Sequence, residues 1–515
     1  MRLARGSPSQ TGSVAAQCAE WISDDRRKAF FAEVGAGTID QALLSVLPKK
    51  FLALRQFGLA GRVLIVDEAH AFDAYMSSEL ARLLQFHAAA GGSAIVLSAT
   101  LPRAKRRELV AAFQSGLDID TTVDLSAENY PLLTVVGKTG VQEDGIEDRA
   151  DGARAVAVER LGDEPAAIER ALSAAASGAA VLWVRNAVDD ARDAYDQLSE
   201  RWERVELFHA RFAMCDRQRI ETSVVERYGK SGDEEARHGR ILVATQVVEQ
   251  SLDLDFDLVI SDLAPVDLII QRVGRLWRHM DLRPASTRPI QGPRLLLLSP
   301  DPDDVRCPAW QHEIQAKGGY VYPNAGVLWR SAKTLFDAQE IRAPEGLRSL
   351  IEFAYGTQEI PEPLRDAEKR AQGDDYAAAF LADTNLVSLD DGYAGMREIH
   401  SDQEIGTRLG RPTATLRLAR NVDGKLQPWA ETDSLTRSWA LSEVSVDARW
   451  LGDLETPLEL TALVDEVRSN WAEWDRSVVA VVNDTEISLE TASGDRPLRY
   501  ELTQGLWRLS VDRKH

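Results

Sequence analysis

The chain has 515 residues and a formal net charge of −21, long enough for three or four domains with ordinary buried cores. Hydrophobic residues make up 44% and charged residues 27%, the balance of a soluble globular protein, and no apolar run approaches the ~20 residues of a membrane span. The acidic total argues against binding nucleic acid through overall positive charge, yet a local basic groove remains open because salt screens charges beyond ~8–10 Å.

Residues 1–17 lack an apolar h-region, so no secretory signal is expected. The three cysteines, Cys18, Cys215 and Cys307, show no paired spacing. Neither a disulfide framework nor a structural zinc site is expected, and a reducing cytoplasm fits. The basic runs are Arg26-Arg27-Lys28, residues 103–107 and residues 272–278; the first two read as solvated helix faces.

In chain order, residues 62–66 form a short β-branched run ending in acids, the pattern of a buried parallel strand. Residues 71–90 carry Leu80, Leu83, Leu84 and His87 at helical spacing, and residues 94–97 give a second strand. This β–α–β succession predicts a parallel sheet with helices on its faces, an α/β fold. A second unit begins after Pro131. There, residues 155–176 read as helix, 180–184 as strand and 189–202 as helix. Residues 204–208, 240–244, 257–260 and 294–298 read as further apolar strands, closed by the Ser299-Pro300-Asp301-Pro302 breaker. Residues 229–239 are a polar loop. From 302 to 400 the pattern weakens and becomes helical and acidic, as a connecting region would. Beyond about 401 the chain is rich in tryptophan (Trp429, Trp439, Trp450, Trp471, Trp474, Trp507), and alternating residues such as 413–418 predict strands of a small accessory domain. Most of those indoles are expected in its core. No internal repeat is present at solenoid periods.

Three segments carry the chemistry. Val66-Asp67-Glu68-Ala69-His70 places two carboxylates at the end of a buried strand. Mg2+-nucleotide hydrolysis needs such a pair: Asp67 to hold the metal and Glu68 to polarise the attacking water, with His70 coupling the site to its surroundings. Ser98-Ala99-Thr100 ends the next strand and offers hydroxyls that can bond to the acidic motif. Gln271-Arg272-Val273-Gly274-Arg275-Leu276-Trp277-Arg278 spaces Arg275 and Arg278 so that one helix would aim two guanidiniums at a γ-phosphate. Upstream, residues 244–253 follow a strand and open a helix, which exposes polar groups to a phosphodiester on one side and a nucleotide on the other. Alone, Asp-Glu is as well explained as a helix cap, and Ser-Ala-Thr as an ordinary strand end. The ordered set points to the nucleotide-hydrolysing core of a superfamily 2 helicase.

A phosphate loop of the form G-x-x-x-x-G-K-[ST] does not precede Asp67. Gly137-Lys138-Thr139 and Gly229-Lys230-Ser231 have Leu132 and Val224 where the first glycine would stand, and both read as loops. No His-Asp dipeptide occurs among the eight histidines, so the paired ligands of an HD-type metal nuclease are missing.

Residues 34–41, 66–75, 207–212 and above all 244–256 (Ala-Thr-Gln-Val-Val-Glu-Gln-Ser-Leu-Asp-Leu-Asp-Phe) closely resemble the CRISPR-associated helicase–nuclease of type I interference. The likeness runs over nearly the whole chain. It implies RecA-like parallel sheets, with the latter half of a first RecA-like domain at 1–125 (motifs Ib, II and III). It further implies a second RecA-like domain at 126–300 (motifs IV–VI), a linker at 301–400 and a C-terminal accessory domain at 401–515. It also implies ATP and Mg2+ as cofactors, recruitment by the Cascade surveillance complex to an R-loop, 3′→5′ unwinding of target DNA, and contact with single-stranded DNA. By the same resemblance Thr38 falls in a DNA-contacting motif and Ser98 and Thr100 in the coupling motif. Thr245, Gln250 and Asp253 belong to the fifth motif, and Gln271, Arg272, Arg275 and Arg278 to the sixth. The HD nuclease and the phosphate loop (Walker A) of that family are absent here, so one expectation is a helicase portion completed by a separate chain carrying both. The alternative is a non-catalytic remnant that at most binds single-stranded DNA or Cascade. An incomplete parallel sheet would leave an exposed edge.

Overall fold

The computed structural model describes residues 28–120, 124–147, 154–249, 252–315, 317–390, 406–410, 412–472 and 475–509. Two compact units emerge: residues 1–153, 343–357 and 366–409 form the first, and residues 154–342, 358–365 and 410–515 the second. The stretch expected as a linker is therefore divided between them.

In the first unit, strands β1 (Val63–Val66) and β2 (Ser93–Val96) pair in parallel, with Val63 opposite Ser93 and Val66 opposite Val96. Between them runs α3 (Ala74–Ala89), which follows the short helices α1 (Ile39–Leu43) and α2 (Leu52–Leu59). Asp73 caps α3 by accepting from the Met76 N–H at 2.8 Å. Tyr75, Met76, Leu80, Leu83 and Leu84 recur at three- and four-residue spacing and bury against Val66. His87 ends that stripe, and its Nε2 faces the Arg62 and Ser93 carbonyls at 3.1 and 3.0 Å, tying the starts of both strands to the helix. Helix α4 (Arg103–Gly116) lies so close to α3 that a β-carbon on Gly116 would meet the Gln85 carbonyl at 2.1 Å.

One face of this small sheet packs on the helices. The other carries Val63, Ile65, Ile95 and Leu97, which are 63%, 61%, 46% and 48% exposed. Parallel sheets are ordinarily covered on both faces, whereas among the described residues this one has an uncovered apolar face. The unit also contains the hairpin of β3 (Leu132–Gly137) and β4 (Gly140–Gly145), whose two-residue turn is Lys138-Thr139. Gly137-Lys138-Thr139 is thus a hairpin turn, as its loop reading required.

The second unit is built on a seven-stranded sheet, ordered β11-β5-β10-β9-β6-β8-β7. Its members are β5 (Arg154–Leu161), β6 (Val181–Val184), β7 (Val205–Phe208), β8 (Ile241–Ala244), β9 (Leu258–Asp262), β10 (Arg294–Leu298) and β11 (Glu340–Ala343). The pairings from β5 through β10, β9, β6 and β8 to β7 are parallel. Strands β6, β8 and β9 are buried at every position, which explains the unbroken apolar runs of β6 and β8 and the Leu-Val-Ile start of β9. Two expectations need correction. Residues 155–176 are not one helix: β5 pairs with β10, and α5 (Glu164–Ala176) starts only after Gly162, with Asp163 accepting from Ala166 N at 2.8 Å. The β-branched pair Val156 and Val158 and the neighbouring strand outweigh the helical propensity of the alanines. Within 301–400, Glu340–Ala343 is a strand and completes the sheet edge, so that stretch is more than a helical connection.

Residues from 412 onward form a second seven-stranded sheet. It runs β13 (Lys425–Pro428), β12 (Thr413–Val422), β15 (Val478–Asn483), β16 (Glu486–Ile487), β17 (Leu498–Glu501) and β18 (Gly505–Arg508), with β14 (Glu443–Asp447) also on β12. It seats on the first sheet's flank through α7 (Met214–Tyr228). Asp216 accepts from Tyr500 Oη at 2.6 Å and Trp429 Nε1 at 2.9 Å, while Arg211 lies 4.6 Å over the Trp450 ring. Gly505 has φ +66°, and a β-carbon there would sit 2.7 Å from the Arg211 carbonyl. Of the tryptophans there, Trp439 is buried and Trp429, Trp450, Trp471 and Trp507 are partly buried; Trp474 lies outside the described residues.

Glu79 on α3 is fully buried, and neither carboxyl oxygen has a hydrogen-bond partner among the described residues. Burial, reinforced by the Asp73 and Asp40 charges, pushes its carboxyl up to about 9. A raised folded value means that the contribution is fully present below the unfolded carboxyl range of ~4.3 and is lost as pH rises through about 9. Glu79→Gln should therefore melt higher than the parent above pH 7, with a gap that widens from pH 5 to pH 9. Parallel melting curves across that range would refute a neutral buried acid.

Candidate functional site

The end of β1 and the end of β2 are stitched together before any side chain is considered. Leu97 N donates to the Val66 carbonyl at 2.8 Å and Ala69 N to the Leu97 carbonyl at 3.1 Å. Glu68 then adopts a left-handed φ of 56°, and its N–H donates to Asp67 Oδ1 at 3.0 Å. Non-glycine residues in this region carry a strain of order 1–3 kcal/mol that recurs at functional sites. Both carboxylates are exposed.

His70 joins the two strand ends. Its ring is buried, with Nε2 3.4 Å from Glu68 Oε2 and Nδ1 3.3 Å from Ser98 Oγ. Ser98 Oγ in turn receives the Thr100 N–H at 3.4 Å. Thr100 N–H thus donates to Ser98 Oγ, Ser98 Oγ and His70 Nδ1 share a hydrogen bond whose direction follows the imidazole tautomer, and the Glu68 carboxylate, which can only accept when ionised, lies within ion-pair distance of Nε2. Thr100 Oγ1 is buried and has no hydrogen-bond partner among the described residues. All five residues expected here thus form one connected group, and Thr38 stands exposed at the N-terminus of α1. Mg2+-nucleotide sites use one or two carboxylates, with phosphate oxygens and water completing the shell, so Asp67 fits as the protein ligand of the metal.

The arginine motif is arranged differently from its expectation. Helix α9 (Val266–Val273) ends before Arg275, so Arg275 and Arg278 do not project from one helix. Trp277 takes φ 51°, and the chain turns to form a parallel bridge between Leu276 and Phe256. Arg272 is fully buried and bonds to Glu249 Oε1 at 2.7 Å. Arg275 is also buried, giving Nε to the Val248 carbonyl at 3.2 Å and Nη2 to the Glu249 carbonyl at 2.8 Å. Arg278 is 41% exposed and pairs with Asp253 at 2.5 Å. Of the three, Arg278 alone has a guanidinium open to solvent. Gln271 is partly buried, and its Nε2 lacks a hydrogen-bond partner among the described residues. Thr245 is buried at the end of β8, and Gln250 lies outside the described residues.

The residues that hold this turn in place escaped the sequence reading. Asp255 and Asp257 are buried and bind Arg283 and Arg288 at 3.0–3.1 Å, and Asp255 also accepts the Arg278 N–H at 2.8 Å. Arg237 adds a third guanidinium 3.6 Å from Asp255. The available signal was the alternation Asp253-Leu254-Asp255-Phe256-Asp257 beside an arginine-rich turn. Burial pushes the Asp255 carboxyl up, but Arg288 and Arg283 outweigh it and hold it below the ordinary carboxylate range.

A family model for the C-terminal part of the CRISPR-associated nuclease/helicase Cas3 matches residues 177–281, the core of this sheet and its arginine motif. The CRISPR-associated endonuclease/helicase Cas3 of Escherichia coli (strain K12) is 32% identical over 504 residues, covering 93% of this chain and 54% of that protein. The chain is a Cas3 helicase-like protein. The Cas3 of Thermus thermophilus is 36% identical over 417 residues, 72% of this chain and 43% of its own length. The chain therefore spans about half the length of these curated relatives. The crystal structure of T. fusca Cas3 superposes with a TM-score of 0.80 at 28% identity, covering 95% of this chain and 58% of that one. A CRISPR RNA-guided surveillance complex in its pre-nicking state contains a chain that matches with a TM-score of 0.75 at 27% identity, covering 95% of this chain and 63% of its own. These likenesses support the RecA-like reading of the sheets.

The buried network predicts a specific loss. Asp255→Asn should destabilise the second unit by ~3–5 kcal/mol, because it leaves guanidiniums buried without their countercharge. A depressed carboxyl contributes stability above its unfolded value of ~3.9, and that stability is lost as pH falls through the folded value. The parent should therefore lose stability below pH 4 more steeply than the variant. Calorimetric melts at pH 3–7 check both, and a variant as stable as the parent at pH 7 would sink the assignment.

Proposed function

We propose that this chain is the ATP-dependent DNA helicase portion of a type I CRISPR interference effector, unwinding target DNA after recruitment by Cascade. The observation that carries the proposal is the chain of contacts in which hydrogen bonds join Thr100, Ser98 and His70, and Glu68 Oε2 lies 3.4 Å from the His70 ring. It links the residue assigned to water activation with the motif assigned to relaying nucleotide state. Bound ATP with Mg2+ would supply the phosphoryl group for transfer. Asp67 would hold the metal and Glu68 would orient and polarise the attacking water; in the second unit, taken by itself, Arg278 is the guanidinium open to a phosphate. His70, fixed between Glu68 and Ser98, keeps the carboxylate oriented. Asp253, Gln271 and Arg272 serve coupling; Arg275, expected beside Arg278 as a catalytic guanidinium, bonds instead to the Val248 and Glu249 carbonyls; and Thr38, Thr245 and Gln250 are the proposed contacts to single-stranded DNA.

A separate chain carrying an HD nuclease and the phosphate loop is the proposed partner. The bare apolar face of Val63, Ile65, Ile95 and Leu97 supports it, since a parallel sheet needs a covering layer on each side. Work in the cytoplasm fits the proposal, and no helix among the described residues is long and apolar enough to cross a membrane.

Steady-state ATP hydrolysis with Mg2+ and single-stranded DNA tests the reading. Glu68→Gln should lower the rate by ~100-fold or more, the scale of a lost acid–base group. An unchanged rate would remove Glu68 from the chemistry. No hydrolysis by either protein would remove catalysis from this chain alone and favour a role limited to binding. DNA binding should be sequence-tolerant and weaken with salt, because backbone phosphates supply the contacts.

A further inference from the structure

Arg272 sits where a nucleotide-sensing arginine is expected, yet every one of its N–H groups is already engaged. Nε donates to Glu249 Oε1 at 2.7 Å. Nη1 donates to Ser261 Oγ at 2.8 Å and the Asp262 carbonyl at 3.0 Å. Nη2 donates to Asn186 Oδ1 at 3.1 Å and Tyr322 Oη at 3.4 Å. A guanidinium has five N–H donors, so none is left for a phosphate. The group is enclosed as well as saturated: Arg272 is fully buried, Asn186 is 4% exposed and Glu249 7%.

The acceptors of Arg272 are shared with the preceding motif. Gln246, in the turn after Thr245, donates Nε2 to the Asn186 carbonyl at 2.9 Å and to Tyr322 Oη at 3.5 Å. Arg275 reaches back to the Val248 and Glu249 carbonyls. The segment 245–249 and the segment 266–275 therefore meet on three residues, Glu249, Asn186 and Tyr322. Two of them come from other elements: Asn186 follows β6, and Tyr322 belongs to the stretch expected as linker.

We propose that Glu249, Asn186 and Tyr322 are positioning residues that fasten the DNA-facing segment 245–249 and the arginine-bearing segment 266–278 into one block, so that a displacement of either is passed to the other. The inference rests on the helicase reading for the meaning of those displacements, but the block itself is a property of the unliganded chain. Glu249 matters most, because its carboxylate neutralises Arg272 while its own carbonyl holds Arg275. Tyr322 contributes its hydroxyl to both segments, and burial pushes that hydroxyl up to about 12, so it remains a neutral donor and acceptor at working pH.

Hydrogen–deuterium exchange on the full chain, followed by mass spectrometry without ATP or DNA, is the test. Glu249→Gln should speed exchange in peptides covering 245–249 and 266–275 together, by about tenfold in each, while β12 and β15 of the accessory sheet keep their rates. Tyr322→Phe, a milder change, should raise the same two regions about two- to threefold and no others. Acceleration confined to one segment, or spread equally over the accessory sheet, would overturn the block. If Glu249→Gln fails to fold, Tyr322→Phe decides by the same criterion. Added single-stranded oligo-dT should then shift exchange in both segments of the parent but only in 245–249 of Glu249→Gln. A parent that responds at 245–249 alone also overturns the proposal. An absent DNA response in every protein would count against the DNA reading, leaving the apo exchange to judge the block.

Discussion

Two carboxylates without access to water, Asp255 and Asp257, face three guanidiniums at the entry to β9, and the second unit's chemistry hangs on that neutralisation. Asp257 also takes the Ala180 N–H at 2.9 Å just ahead of β6, while Asp255 takes the Arg278 N–H. The same pair of acids thus sets the start of the central strand and the turn that carries the exposed arginine. Arg288 lies 4.8 Å over the Trp277 ring, and Trp277 Nε1 donates to the Asp257 carbonyl at 3.0 Å. A buried network of this kind specifies one arrangement because each partial alternative leaves a charge uncompensated. The left-handed backbone at Trp277 is held by these bonds and not by a local preference of the residue.

How much of this was legible in the sequence varies by element, for physical reasons. Strands β6, β8, β9 and β10 sit inside the sheet, so they carry apolar residues at consecutive positions and stand out. Strand β5 lies nearer the sheet edge, sets Val156 and Val158 among alanines, and is followed closely by an alanine-rich helix. Its identity comes from hydrogen bonding to β10, which no local window contains. Strand β11 is four residues long and depends on the same sheet. The hairpin of β3 and β4 was hidden because a Gly-Lys-Thr turn resembles a phosphate loop in composition, although lacking its spacing.

The candidate site divides in the same way. In the first unit the acidic motif and the Ser-Ala-Thr motif both lie at strand ends, and parallel neighbours bring such ends together. Knowing the strands is enough to predict that His70 can reach both Glu68 and Ser98. In the second unit, knowing the helix is not enough. Whether an arginine is spent on the protein or offered to a ligand depends on where the acids from residues 249–257 point, and that is decided by a turn with positive φ at Trp277. Sequence spacing paired Arg275 with Arg278, and the resemblance placed Arg272 in the same motif, whereas the fold puts the three in different environments.

That difference in environment also bears on which arginine is able to change partners. The Arg272–Glu249 pair is sealed, and separating it would strand two charges in the interior at a cost of several kcal/mol. Arg275 bonds to two main-chain carbonyls and moves only with the segment that carries them. The Arg278–Asp253 pair is different, with side chains 41% and 44% exposed. Exposed pairs contribute ~0–1 kcal/mol, and Asp253 keeps Lys230 at 3.8 Å and His279 at 3.3 Å as alternative neighbours. A phosphate oxygen bearing more charge than one carboxylate can therefore draw Arg278 away without leaving Asp253 buried or isolated. On the proposed reading the exposed arginine would exchange and the buried ones would transmit, while Asp255, which fixes the Arg278 main chain, would keep the exchange local to the side chain.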